Sequence, residues 1–292
     1  MSEKRAVLSV NTAVLLFGLA GLFARWIHLP ASVITFGRVA FSAAALGLFL
    51  LAKKQSFRLR SSADAALLAL AGAVLAVHWW SFLRSVQVST VAVATVTFSS
   101  FPLFVTLLEP VVFRRRPERK SILLALVILI GAAVTTAPVS SADSTFAGAL
   151  LGLLSALTYA VLTVMNSGFS ERYSATLIAF CEQSCAAVLL LPAVFTAGAR
   201  PSAGDVGLLL ILGVVTTAVA HTLFISSLQR IPARLAGICS SLETVYGILF
   251  ALILLGEVPS VREILGAVII VGAVVTAQLL REKPRKRGAG QN

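Results

Sequence analysis

Long apolar stretches of about 18 to 25 residues alternate with short polar interruptions along the whole chain. At about 1.5 Å of rise per residue, such a stretch crosses a hydrocarbon core of about 30 Å as a helix. Membrane strands would instead alternate apolar and polar residues, and the sequence does not. Ten helices are predicted, at about 6–26, 31–52, 63–85, 89–113, 119–137, 146–167, 174–198, 204–228, 233–256 and 260–281. Between them stand short punctuators: His28-Leu29-Pro30, Arg114-Arg115-Arg116-Pro117, Pro138 with Ser140-Ser141, Arg200-Pro201, Ile231-Pro232 and Val258-Pro259. None leaves room for a soluble domain, so function is expected inside the membrane. The first stretch follows Lys4 and Arg5 and has the outline of a secretory signal peptide, but the nine spans behind it favour a retained helix. The tail 282–292, with Arg285-Lys286-Arg287 and glycines, reads as disordered and cytoplasmic.

Composition agrees with an all-α integral membrane protein. Hydrophobic residues make up 58% and charged residues 12%, with a mean hydropathy of +0.95. Soluble domains carry about a quarter charged residues. The net charge of +12 changes the picture in one respect, through its placement. With a cytoplasmic N-terminus, nineteen Lys and Arg fall in cytoplasmic segments, only Arg25, Arg84, Arg200 and Arg262 fall on the far side, and Arg38 lies inside a span. That bias orients a multi-pass protein with both termini cytoplasmic. The cations are spread over loops beside apolar spans, which suits lipid headgroups and not nucleic acid. Cys181, Cys185 and Cys239 have apolar surroundings and no second ligand cluster, so no metal site, disulfide or cofactor is expected.

The two halves echo each other. Ser99-Ser100-Phe101-Pro102 and Ser240-Ser241-Leu242-Glu243 lie 141 positions apart, and the same offset pairs Leu124 with Leu265, Val127 with Val268, Gly131 with Gly272 and Thr135 with Thr276. Two repeats follow, 1–140 and 141–281, with five spans each. An odd number of spans makes the second copy enter the membrane from the opposite side. The charges fit this inversion, because Arg114-Arg115-Arg116 aligns with Leu255-Gly256-Glu257. Inverted repeats commonly build secondary transporters around a midplane site.

The repeated Ser-Ser motif, the Leu255-Gly256-Glu257 turn and the following Leu265-Gly266-Ala267 and Gly272 resemble the drug/metabolite transporter superfamily. The likeness is greatest to the ten-helix bacterial metabolite exporters that include the aromatic amino-acid exporters. Arg116 departs from it, standing where the second copy has Glu257. The resemblance implies a basket of spans one to four and six to nine around a central cavity, with spans five and ten outside, in a bacterial-type inner membrane. The sequence allows that division, since span five has no charge from Ser121 to Ala137 and span ten none between Glu263 and Arg281.

Polar residues at helical spacing in the other spans are the candidates for a substrate site. Thr35, Arg38 and Ser42 share a face of span two. A midspan Arg costs about 2.5 to 3.5 kcal/mol on insertion scales, so Arg38 serves function, forms an ion pair, or snorkels to the interface. Glu182 in span seven either exchanges a proton or pairs with Arg38, and it is the expected partner ahead of Glu243. Ser240, Glu243 and Tyr246 come from span nine, and Ser99, Ser100 and Pro102 from the equivalent place in span four. Pro102 is a candidate hinge for gating or a packing kink, and only span four has such a central proline. His78 and His221 are pH-responsive groups or satisfied interior histidines. Trp79, Phe82 and Tyr159 are candidate cavity walls, with Asn11 and Asn166 as polar positions. Gly148-x-x-x-Gly152 and Gly131-x-x-x-Thr135 permit close helix approach, within the chain in the favoured reading and in a dimer in the other.

One Arg, two midspan Glu and two His leave no dominant sign inside the membrane, which fits a neutral or zwitterionic small molecule. Export of amphiphilic metabolites, amino acids including aromatic ones foremost, is the function expected; a multidrug or hydrophobic-cation exporter is the alternative. An intramembrane enzyme or a channel ranks below both, since the sequence has neither Gly-x-Ser-x-Gly nor His-Glu-x-x-His.

Overall fold

The computed structural model describes residues 2–89, 91–114, 116–135, 143–256, 258–259 and 261–279. Pro138, Ser140, Ser141 and the tail 282–292 lie outside the described residues. The chain order is α1 (Glu3–Trp26), α2 (Ala31–Ala52), α3 (Ser62–Val88), α4 (Val91–Phe98), α5 (Phe101–Val112), α6 (Arg119–Thr135), α7 (Asp143–Phe169), α8 (Ala175–Thr196) and α9 (Ala203–Gly213), then a π-helical turn (Val214–Val219). It continues with α10 (Ala220–Ser227), α11 (Ala233–Ser240), α12 (Leu242–Leu255) and α13 (Val261–Leu279). Among the described residues there is no strand, and seven helical stretches are long and apolar enough to cross a membrane.

Helix starts follow local chemistry. Ser61, Ser174 and Ser202 each accept a bond from the backbone N–H three residues on, and Ser202 with Asp205 completes a capping box. α2 and α11 begin directly after Pro30 and Pro232.

Three rods predicted as continuous are interrupted. The span at 89–113 breaks at Ser99-Ser100, where the Ser100 hydroxyl donates back to the Thr97 carbonyl at 2.7 Å. The span at 233–256 breaks at Ser241, whose N–H reaches the Ile238 carbonyl at 3.1 Å. In both, an i to i−3 bond tightens the turn. The expectation is that span four, with its central proline, bends more readily than span nine. Both Ser-Ser sites break, and Pro102 sits in the first turn of α5, where its missing donor has no intrahelical partner to lose. The third interruption is the π turn, in which Thr216 and Thr217 both donate to the Leu212 carbonyl at 2.8 Å.

The core forms where α3 packs on α7 and α8, α2 on α8, and α1 on α10 and α12, while α6 and α13 pack on each other. At Gly72 a Cβ would lie 2.6 Å from the Cys185 Cβ and 2.7 Å from the Glu182 carbonyl, so α3 and α8 touch backbone to backbone. Gly18 plays the same part between α1 and Tyr246 of α12. Gly148 and Gly152 face Ser89 and Thr97, and Gly131 faces Ile269 and Ile270, so these small residues serve packing within the chain.

Two ion clusters tie segments at the end of the bundle where α1 begins. Asp64 accepts from the Arg172 guanidinium at 2.6 Å and from the Tyr173 hydroxyl at 2.5 Å, joining the start of α3 to the turn before α8. Arg234, at the start of α11, donates through Nε to Glu118 at 2.6 Å and through its backbone N–H to Glu109 of α5 at 3.0 Å. Burial raises the Glu118 carboxyl, but bonds from Ser121 and Arg234 with the charges of Arg234 and Lys120 outweigh it and hold Glu118 below its ordinary pKa.

Candidate functional site

A cavity of about 40 Å³, room for about three waters, opens among α1, α2, α3, α4, α7 and α12. Its polar wall is Arg38, His78, Tyr159 and Glu243, and its apolar wall includes Phe17, Trp79, Phe82 and Phe98.

Arg38 is held from two sides. Its Nε donates to Thr217 Oγ1 of the π turn at 3.2 Å, and its guanidinium lies over the Trp79 ring at 4.0 Å from the centroid. A desolvated stack of this kind contributes about 2 kcal/mol. At 5% exposure Arg38 is buried, which removes the snorkelling reading. Glu243, in the first turn of α12 just past the Ser241 break, supplies the opposing charge of the same cavity.

His78 is fixed by Ser155, whose carbonyl lies 3.0 Å and hydroxyl 2.9 Å from Nδ1. Its ring stacks on Tyr159 at 4.4 Å, and Phe98 and Phe101 extend the aromatic layer. The cavity wall is thus aromatic on one side and carries a guanidinium and a carboxyl group.

Glu182 does not pair with Arg38. It meets His221, Oε2 to Nε2 at 2.8 Å, with both side chains essentially unexposed. The π turn is the reason the sequence misleads here: Val214–Val219 winds wider than an α-helix, which rotates the helix face that follows, and His221, two residues on, meets Glu182 of α8. Trp79 stands between this pair and Arg38, with its ring edge-on to His221 at 5.8 Å.

The structure gathers Arg38, His78, Trp79, Phe82, Tyr159 and Glu243 at one cavity, with Tyr246 a turn along from Glu243 against α1. Glu182 and His221 lie behind its wall. Ser99, Ser100 and Ser240 sit at the helix breaks, and Ser240 donates to the Ala236 carbonyl at 3.0 Å. Pro102 packs beside Gly237 of α11. Asn11 lies apart from the cavity, donating to Val7 and accepting from Gln278 of α13 at 3.4 Å. Asn166 is buried in α7 away from the cavity wall. Ser155 and Phe17 were not singled out. Thr217 had a sequence signal, being four residues before His221 on one face, whereas Phe17 is one apolar residue among many.

A model of the EamA-like transporter family matches residues 4–137 and, a second time, residues 146–277. The chain belongs to the EamA-like transporter family. It is 24% identical over 285 residues to the uncharacterized transporter YxxF of Bacillus subtilis strain 168, covering 96% of this chain and 91% of that one. It is 28% identical over 198 residues to an uncharacterized transporter of Archaeoglobus fulgidus, covering 68% of this chain and 70% of that one. A solved crystal structure superposes with a TM-score of 0.80 at 21% identity, over 96% of this chain and 98% of that one, so the fold is shared. In this EamA-like transporter the cavity is enclosed by helices from both matched segments.

Proposed function

We propose that this EamA-like transporter is a secondary exporter of small amphiphilic metabolites, amino acids including aromatic ones foremost, working by alternating access. One observation carries the reading: a guanidinium and a carboxylate, Arg38 and Glu243, share one aromatic-walled cavity. A zwitterion with an apolar side chain answers all three features, its carboxylate toward Arg38, its ammonium toward Glu243 and its side chain against Phe82 and Tyr159. A cavity of about 40 Å³ must widen to admit it, which suits a site that opens to one side at a time.

The same reading takes the chain as ten spans in two inverted five-helix repeats, α4 with α5 and α11 with α12 each counting as one broken span. The double family match and the two Ser-Ser breaks support it. The positive-inside bias supports cytoplasmic termini, which puts the Asp64 and Glu109 clusters on the cytoplasmic side.

The test is calorimetric binding on purified protein with phenylalanine, phenethylamine and phenylpropionate, which differ only in their charged groups. Phenylalanine should bind at least tenfold more tightly than either, because each loses a charge-assisted bond worth about 1.5 to 3 kcal/mol. Arg38→Gln should erase the preference over phenethylamine. If phenethylamine and other hydrophobic cations bind best and Arg38→Gln leaves them unaffected, the zwitterion reading fails and the hydrophobic-cation exporter takes its place.

A further inference from the structure

We infer that Glu182 and His221 form a proton-binding site behind the cavity, and that loading and unloading this site drives transport. The inference rests on the transporter assignment but not on the substrate class.

Three features of the pair carry it. First, it is dry: the two side chains are 0% and 1% exposed, in the middle of a bundle whose charges otherwise sit at its ends or in the cavity. Second, it is incompletely satisfied. Among the described residues, Glu182 Oε1 and His221 Nδ1 have no hydrogen-bond partner, although a buried polar atom without one costs about 1 to 3 kcal/mol. A structural hydrogen bond between α8 and α10 needs neither ionisable group, whereas a site that takes up a proton needs a basic atom that nothing else occupies. Third, it touches the machinery of the cavity. Trp79 lies edge-on to His221 and face-on to Arg38, and Thr217, one turn before His221, holds Arg38 Nε.

The proton balance is simple. With a neutral imidazole the pair carries one negative charge; one proton from water forms an N–H or O–H bond and brings it to zero, and the same bond breaks when the proton leaves on the other side. The groups that face this change are Arg38 from α2, His78 from α3, Tyr159 from α7, Cys181 and Cys185 on α8, and Glu243 from α12 across the cavity. α1 also packs on α10, but its charged residues are Glu3, Lys4 and Arg5 in its first turns and Arg25 in its last. Arg38 is linked to the pair through two intermediates, since its own contacts run to Trp79 and Thr217. A charge change behind Trp79 therefore alters how strongly Arg38 is held in the wall, which links proton occupancy to the cavity.

The first arm of the test needs no substrate. The chain has three tryptophans, so Trp26→Phe with Trp80→Phe leaves Trp79 as sole emitter. Protonation of the imidazole beside it should quench emission as pH falls. His221→Gln should abolish most of that change, and His78→Gln, whose ring also neighbours Trp79, should keep it. Flat emission, or loss of the change in His78→Gln but not in His221→Gln, overturns the site. Should His221→Gln not fold, His78→Gln in the same background decides alone: retained quenching supports His221 and lost quenching overturns it.

The second arm uses vesicles and radiolabelled phenylalanine. In the parent an imposed pH gradient should drive accumulation. In Glu182→Gln, which keeps a hydrogen bond to His221, accumulation should fall to the level reached without a gradient, while counterflow at equal pH keeps the larger part of its rate. Accumulation that survives Glu182→Gln overturns the coupling role. If the parent carries no phenylalanine, the substrate reading is what fails, and the fluorescence arm still decides the proton site.

Discussion

Replacing Arg234 by Ala should cost stability in a way that its geometry lets one apportion. The Arg234 guanidinium, 28% exposed, reaches Glu118, 36% exposed, at 2.6 Å and Glu109, 2% exposed, at 3.4 Å. The pair with Glu118 is half in water and is worth about 0.5 to 1 kcal/mol. The contact with Glu109 matters more because removing a partner strands a buried carboxylate, at about 3 to 5 kcal/mol when the site is dry. Two facts reduce that figure: the contact is long, and the backbone N–H of residue 234 still bonds Glu109 at 3.0 Å in the variant. We therefore expect a loss of about 2 to 4 kcal/mol, seen as a fall of about 4 to 10 °C in the thermal midpoint of purified protein in micelles. Adding Glu109→Gln removes the stranded charge and should recover at least half of the loss, whereas adding Glu118→Gln should recover almost none. Arg234→Ala with an unchanged midpoint, or a double variant with Glu109→Gln no better than the single one, would falsify this apportionment.

Gly72→Ala should destabilise by about 1 to 3 kcal/mol, because its Cβ meets backbone of α8 and not a movable side-chain tip; circular-dichroism melting against Gly207→Ala, which meets nothing, checks this. For Glu118, whose folded-state pKa is depressed, the stabilising contribution is present above its ordinary value of about 4.3 and is lost as pH falls through the lower folded value. The parent should thus lose more stability than Glu118→Gln in melts taken from about pH 5 down to pH 3. Equal losses would show that the bonds from Ser121 and Arg234 do not act on Glu118 in solution.

The local part of this protein was legible in its sequence. Apolar runs of membrane length, serines before helix starts, and prolines ahead of α2 and α11 act over a few residues, and the helices follow them. The echo at Ser99 and Ser240 coincides with both helix breaks, yet continuous helices were expected there, since a proline in one copy drew attention from the hydroxyls present in each. Arg38, His78, Trp79, Phe82, Tyr159 and Glu243 were readable as a set because polar and aromatic groups deep in apolar spans must face protein or water. Partners were not. Periodicity says which residues share a face of one helix, but how that face is turned toward another helix depends on packing along the whole bundle. The π turn adds a rotation before His221 that no residue type announces, and it gives Glu182 to His221 and leaves Arg38 to Trp79 and Thr217. Glu109 and Arg234 met for the same reason. They are 125 positions apart, and only the approach of α5 to α11 made one cation counted toward topology into the partner of a buried acid.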